Sequence, residues 1–180
     1  MPPDQAPATI EVKVDKVVQL FDTLDPFPFR ERDLNRDAEE FIVGWARELP
    51  ARRAIRIVVH LPAGEAETEH ARELGGALNR YFRYREEAVT NDLKELFRIG
   101  RFSLATGLSV LAVCIAVGGT LSTTYRGSEI VRFFNEGLII LGWVANWRPI
   151  EIFLYEWWPL VRRRNLYRRL AAATVALAPR

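Results

Sequence analysis

Residues 102–125 read FSLATGLSVLAVCIAVGGTLSTTY, a run of 24 residues without a formal charge. A helix needs about 20 predominantly apolar residues to cross the hydrocarbon core of a bilayer. A buried helix of a large protein has a similar composition, but a chain of 180 residues has too little protein to cover such a helix on all sides. We therefore predict a first membrane span over residues 102–122.

A second apolar segment follows, and charged residues interrupt it near both ends. Only eleven uncharged residues separate Glu136 from Arg148. The segment reaches about 20 residues when it extends past both, since long charged side chains can reach toward the membrane interfaces. We predict a second span over residues 130–149, with a re-entrant or surface segment as the alternative. The short connection makes residues 101–149 an antiparallel hairpin.

Basic residues are distributed unevenly around these spans. Residues 1–101 carry 16 Lys/Arg and 19 Asp/Glu, whereas residues 102–180 carry 9 and 4. Only Arg126 and Arg132 flank the connecting loop, while Lys94, Arg98 and Arg101 precede the first span. The second span is followed by Arg162, Arg163, Arg164, Arg168 and Arg169. By the positive-inside rule both termini are expected in the cytoplasm. No apolar signal-peptide core follows the first residues, which agrees with this orientation.

The N-terminal half has the pattern of a small mixed domain. Residues 1–8 contain three prolines and no large apolar side chain apart from Met1, and are expected to be a disordered leader. Alternating apolar residues over 9–14 and β-branched residues over 54–61 predict two strands. Helices are predicted over 37–49 and 65–101. In the first helix the apolar stripe is Phe41, Ile42, Trp45 and Leu49.

The predicted fold class is therefore α+β, with a small strand-helix-strand-helix cytoplasmic domain over residues 9–100, then the transmembrane helical hairpin. So few strands usually need pairing with another copy or a covering partner.

Four of the five tryptophans lie between residues 143 and 158. Tryptophan is enriched at membrane interfaces, so residues 150–171 are predicted to form an interfacial amphipathic helix that includes Trp157 and Trp158. A docking face for another membrane subunit is the alternative. Residues 172–180 are expected to be a tail.

The loop DPFPFRERDL at residues 25–34 concentrates two phenylalanines and two prolines. Exposure of phenylalanine to water costs free energy, so we expect the loop with Phe27, Phe29 and Arg30 either to pack against its own domain or to contact a partner.

The sequence contains few candidates for catalytic, metal-binding or cofactor-binding residues. Neither histidine has a metal-ligand spacing, and no phosphate-binding or nucleophile motif occurs, so no catalytic residue and no cofactor is predicted. The one cysteine, Cys114, excludes an internal disulfide. No basic, aromatic-interleaved stripe indicates nucleic-acid binding. Arg148 with Glu151 is more typical of an ion pair at a membrane boundary than of a ligand or ion site. Glu136 is more typical of a side chain that reaches toward the membrane interface than of a proton or ion path.

Two segments resemble a family of bacterial membrane proteins with a small cytoplasmic domain and a helical hairpin. They are DPFPFRERDL with DAEEFI at residues 25–42, and GWVANWRP with EIFLYEWWP at residues 142–159. The likeness covers most of residues 9–169. It implies a bacterial, multi-pass inner-membrane protein and supplies no catalytic residues.

Two functional hypotheses follow. The first is a non-catalytic interaction, scaffold or assembly module on the cytoplasmic face, whose partners are the lipid bilayer and either a second copy or another membrane protein. Its candidate residues are Phe27, Phe29, Arg30, Arg148, Glu151, Glu156, Trp157 and Trp158. The alternative is a small membrane transport component or membrane enzyme that uses Glu136, Arg148, Glu151 and Glu156.

Overall fold

The computed structural model describes residues 7–22, 28–29, 32–125 and 128–180. The chain forms two compact units. Unit 1 comprises Met1–Val89 together with Arg162–Arg180, and unit 2 comprises Thr90–Val161. Unit 2 is therefore an insertion: the chain leaves unit 1 once, completes unit 2, and returns to unit 1.

Unit 1 contains a parallel three-stranded sheet in the order β1-β2-β3. The strands are β1 (Ala8–Lys13), β2 (Ile55–Leu61) and β3 (Thr174–Pro179). In register, Ile10 pairs with Ile57, and Ile57 pairs with Val175. The side chains of β1 and β2 alternate between buried and more exposed, because successive strand residues point to opposite faces. One face of the sheet therefore carries the core.

Helices supply the rest of that core. Unit 1 contains α1 (Arg36–Glu48), α2 (Ala63–Ala66), the first part of α3 (Glu69–Thr124) and the last part of α6 (Trp157–Ala171). Asn35 caps α1 by accepting a hydrogen bond from the backbone N–H of Asp37. Gly75 of α3 lies against Val175 of β3, where an added Cβ would be 3.4 Å from the Val175 Cβ. Leu74, Leu78, Phe82 and Leu170 are fully buried.

Several predicted elements of the N-terminal half are present. The structure is a mixed helix and strand fold with a small sheet and a long helix, and β1, α1 and β2 lie within one or two residues of their predicted bounds. The residues predicted as a tail instead form β3, so the sheet has three strands and is less in need of a partner than predicted. β3 was missed because its hydrogen-bonding partner, β2, lies more than a hundred residues earlier.

The buried stripe of α1 also differs from the prediction. Ile42, Val43 and Ala46 are buried, whereas Phe41 and Trp45 are about half exposed. The apolar residues of α1 extend around more of the helix than the core can cover, and the smaller side chains face inward.

Unit 2 consists of helices. These are the second part of α3, α4 (Glu129–Ala145), α5 (Trp147–Glu151), a π-helical turn (Ile152–Glu156) and the start of α6. α3 continues without a break through residue 101, where the prediction placed a boundary between a domain helix and a span. From Arg162 onward α6 belongs to unit 1, so the segment predicted as an interfacial helix, residues 150–171, is divided between the two units.

α3 and α4 approach each other closely at glycines. A Cβ added to Gly107 would lie 2.8 Å from the carbonyl oxygen of Ala145, and one added to Gly142 would lie 2.6 Å from Cδ1 of Leu111. Nearer the loop, Gly118 lies against the side chain of Asn135. Contacts nearer the C-terminal end of α3 involve residues nearer the N-terminal end of α4, so the two helices are antiparallel.

Two helical stretches are long and apolar enough to cross a membrane, judged by length and composition. One is Glu69–Thr124, and the other is Glu129–Ala171 taken as a continuous stretch. Only 17% and 22% of their most apolar windows are buried within the protein.

Candidate functional site

The surface of unit 2 is strongly apolar. Among the described residues, 24 large apolar side chains are exposed, and 21 of them lie in unit 2. Ile140, Phe133 and Trp143 are examples, each more than half exposed. A protein surrounded by water rarely exposes large contiguous apolar patches, so this surface points to an apolar environment or a partner.

The interior of unit 2 has the opposite character. Its buried positions are mostly small or polar: Gly100, Gly107, Cys114, Gly118, Gly142, Asn146, Pro149 and Ile152. The side-chain Nδ2 of Asn146, which is only 8% exposed, donates to the carbonyl oxygens of Gly107 (3.1 Å) and Gly142 (2.8 Å). This amide therefore joins α3 to α4. Small residues at the interface and a polar side chain bridging two helices are typical of helix pairs in membranes.

The predicted residues Arg148, Glu151 and Glu156 come together in unit 2. Arg148 Nη1 contacts Glu151 Oε2 at 3.4 Å, and the guanidinium also forms a bidentate ion pair with the carboxylate of Glu156. Glu156 is the last residue of the π-helical turn. All three side chains are partly exposed, so the pairs contribute modestly to stability.

Glu136, the fourth residue of the transport or enzyme hypothesis, does not join this cluster. It pairs with Arg132 on its own helix at 3.7 Å. Glu136 and Arg148 are twelve positions apart, which is about 18 Å along a helix. The four residues therefore do not form one site.

The two tryptophans predicted at the interface lie side by side. The rings of Trp157 and Trp158 are 5.2 Å apart, and the indole N–H of Trp157 donates to the carbonyl oxygen of Phe153. Phe153 in turn stacks against Phe97 at 6.2 Å. Phe153 thus contacts α3.

The Phe/Pro loop is described only in part. Phe27 and Arg30 lie outside the described residues, and their predicted role stays a prediction. Phe29 packs within unit 1, with its ring 4.7 Å from that of Phe21 and stacked 4.5 Å from that of His70. This contact supports the interpretation in which the loop covers its own domain.

A polar cluster in unit 1 joins three helices around the carboxylate of Glu39. The hydroxyl of Tyr81 donates to Oε2 at 2.8 Å, and the hydroxyl of Tyr167 donates to Oε1 at 3.0 Å. Arg85 donates to Oε1 through Nε at 3.0 Å, and its Nη2 lies 2.9 Å from the same atom. Every oxygen of the carboxylate is therefore satisfied, and α1, α3 and α6 are held together.

This environment changes the acid-base properties of its members. Burial and the hydrogen bond donated to Glu39 raise the pKa of Tyr81 above its ordinary value. For Arg85, burial acts to lower the pKa, but the interactions with Tyr167, Tyr81 and Glu39 outweigh it and raise the pKa overall. Tyr81 is thus neutral and Arg85 charged at any physiological pH.

An open cavity of about 570 Å³ adjoins the cluster. One face of α1 forms a wall that includes Arg36, Glu39 and Arg47, and Arg85, Arg163 and Tyr167 complete the lining. The guanidiniums of Arg85 and Arg163 lie 5.6 and 5.5 Å from the centre of the Tyr167 ring. This cavity was not predicted, because its residues converge from distant helices and no short motif marks them.

Within the described part of the chain, no group of three or more His, Cys, Asp or Glu side chains is placed to hold a metal ion. No protein-family model, curated protein or solved structure matches the chain. Its function must be argued from its own residues.

Proposed function

We propose that the chain is an integral protein of a bacterial inner membrane, in which unit 2 crosses the bilayer twice and unit 1 lies in the cytoplasm. The observation that carries the proposal is the reversed distribution of side chains in unit 2. Its large apolar side chains lie outside, while glycines and Asn146 lie inside. Lipid tails solvate such a surface, and helices in lipid associate through small residues and bridging polar groups.

The insertion of unit 2 supports an even number of crossings. β1 and β2 precede unit 2 and β3 follows it, yet all three strands form one sheet. A single sheet occupies one side of a membrane. The inserted segment must therefore return to the side from which it departs, and two spans satisfy that condition.

The distribution of charge supports the assignment of unit 1 to the cytoplasm. Arg162, Arg163 and Arg164 directly follow unit 2, and only two arginines flank the loop between α3 and α4. Basic residues are retained on the cytoplasmic side during insertion.

Within this arrangement the chain acts as a non-catalytic interaction or assembly module, and its partner is a second copy or another membrane protein. Phe41 and Trp45 of α1 are about half exposed, and their rings lie 6.2 Å apart. Exposed aromatic side chains are enriched at protein–protein interfaces and often anchor them. This pair is the most apolar exposed feature of α1 and the first surface to test.

Site-specific photocrosslinking in native membranes tests the interaction. A photoreactive phenylalanine analogue at position 45 is expected to give a discrete adduct with a membrane protein or a second copy. The matched control places the analogue at Arg52, which is exposed in the same unit, and should give none. A chain that is not extracted by alkaline carbonate but forms no adduct from position 45 would contradict the interaction role and leave the membrane assignment intact.

The alternative, a transport component or membrane enzyme, rests on the cluster of Arg148, Glu151 and Glu156. Replacing Arg148 and Glu156 with alanine separates the two proposals. If these variants lose a solute flux or turnover but keep the crosslinked adduct from position 45, the transport or enzyme role is favoured. If they lose only the adduct, the assembly role is favoured.

A further inference from the structure

The charges that line the cavity of unit 1 do not balance. Four arginines and two glutamates line it, which leaves two positive charges in excess. Glu39 pairs with Arg85, and Glu40 pairs with Arg36 at 3.4 Å. Arg47 and Arg163 pair with no carboxylate in the described part of the chain. The excess charge therefore belongs to these two guanidiniums.

Arg163 is held in a defined position. Its Nε and Nη2 donate to the hydroxyl of Tyr167 at 3.4 and 3.3 Å, and its Cζ lies 5.5 Å from the centre of that ring. Tyr167 is buried, and its own hydroxyl proton goes to Glu39. A guanidinium fixed in this way loses little freedom when it binds a ligand, and the Nη1 group of Arg163 remains available to one.

The cavity also has open space on its α1 wall. Gly44 lies on that wall, and a Cβ added there would meet nothing within 4 Å. A volume of about 570 Å³ lies in the range of small-molecule sites. It exceeds what a single phosphate needs and suits a diphosphate or a phosphorylated small molecule.

We propose that this cavity binds a small phosphorylated anion with two or more negative charges, with Arg47 and Arg163 as the recognising residues. Guanidinium groups match phosphoryl oxygens in geometry and form charge-assisted hydrogen bonds with them. The ligand is either a soluble diphosphate-type molecule or the phosphorylated headgroup of a lipid. The site lies wholly in unit 1 and does not depend on the proposed interaction role.

Isothermal titration of the full chain in detergent at low salt tests the proposal with two probes: inorganic pyrophosphate and short-chain phosphatidylinositol 4-phosphate. Saturable binding of at least one probe is expected. Each of Arg47→Gln and Arg163→Gln should weaken it by about tenfold or more, as expected for a lost charge-assisted hydrogen bond. Arg83→Gln, in an exposed position of α3 outside the cavity, is the matched control and should leave affinity unchanged.

Gly44→Leu distinguishes a blocked site from a damaged fold. A Cβ added at position 44 meets nothing within 4 Å, and leucine has a higher helix propensity than glycine. We expect binding to be lost while the thermal midpoint stays equal or rises.

Binding of pyrophosphate indicates a soluble ligand, and binding of the lipid probe alone indicates a headgroup. The proposal is overturned if neither probe binds saturably, or if Arg83→Gln weakens binding as much as the cavity variants do.

Discussion

In unit 1 the fully buried side chains include Ile57, Leu78 and Leu170, whereas in unit 2 the buried positions include Gly107, Gly142 and Asn146. Unit 1 removes large apolar surface from water, which is the dominant stabilising term of a domain in water. Unit 2 instead exposes its large side chains and brings its backbones together. The distribution of large apolar side chains in unit 2 is therefore the reverse of that in unit 1.

The connection between the two units adds to this comparison. Unit 2 interrupts the segment between β2 and β3, so the sheet of unit 1 is completed only after the chain returns. The Glu39 cluster then ties the returning helix to the N-terminal part of the unit, since Tyr167 lies in α6 and Glu39 in α1. Unit 1 is thus assembled from two segments of the chain that unit 2 separates in the sequence.

The largest difference between the units is expected from one substitution made in each. Ile57→Ala removes a fully buried side chain and should lower the free energy of unfolding of unit 1 by about 2–5 kcal/mol. Ile140→Ala removes a side chain that is 64% exposed and should change the stability of unit 2 by less than about 0.5 kcal/mol. Urea titration in mild detergent, followed by hydrogen exchange, measures the stability of each unit separately. Equal losses of stability in Ile57→Ala and Ile140→Ala would contradict the reversed burial of the two units.

A smaller effect is expected at the contact between α3 and α4. Gly142→Ala places a Cβ 2.6 Å from Leu111 Cδ1 and 3.3 Å from its Cα, so it should destabilise unit 2 by about 1–3 kcal/mol.

Gly137→Ala is the matched control in the same helix, because a Cβ there meets nothing within 4 Å. It should be neutral or stabilising, as alanine favours a helix over glycine. Unfolding in mixed micelles can be followed by the fluorescence of the four tryptophans between residues 143 and 158. If Gly142→Ala and Gly137→Ala change the stability of unit 2 equally, the close approach of α3 and α4 at Gly142 is wrong.

The smallest effect concerns the polar cluster of unit 1. Tyr167→Phe keeps the ring but removes the hydroxyl that joins Glu39, Arg85 and Arg163, and should cost about 1 kcal/mol. Tyr84→Phe, at an exposed position of α3, should cost nothing measurable. Thermal unfolding of the two variants side by side makes the comparison. A Tyr167→Phe variant as stable as the wild type would show that the cluster does not fasten α6.

The sequence predicts those features that depend on neighbouring residues. Alternation gives β1, a run of β-branched residues gives β2, and the uncharged run at 102–125 gives an apolar helical segment. Each pattern repeats over a few positions and needs no knowledge of the rest of the chain.

What the sequence does not predict depends on contacts between distant residues. β3 needs β2 as its hydrogen-bonding partner, and the Glu39 cluster needs Tyr81 and Tyr167 to converge from two other helices. Arg148 and Glu156 were predicted as members of one candidate set, but not as an ion pair eight positions apart with Glu156 in a π-helical turn.

Labelling of single cysteines in spheroplasts of a bacterial host tests whether unit 2 crosses the membrane twice and leaves unit 1 in the cytoplasm. In a Cys114→Ala background, one cysteine replaces Thr9 in β1, Ser128 between α3 and α4, or Thr174 in β3, all of which are exposed. A membrane-impermeant maleimide should label only position 128 in intact spheroplasts, and all three positions after permeabilisation. Labelling of positions 9 and 174 from outside, or protection of position 128, would contradict a two-span unit 2 inserted into a cytoplasmic unit 1.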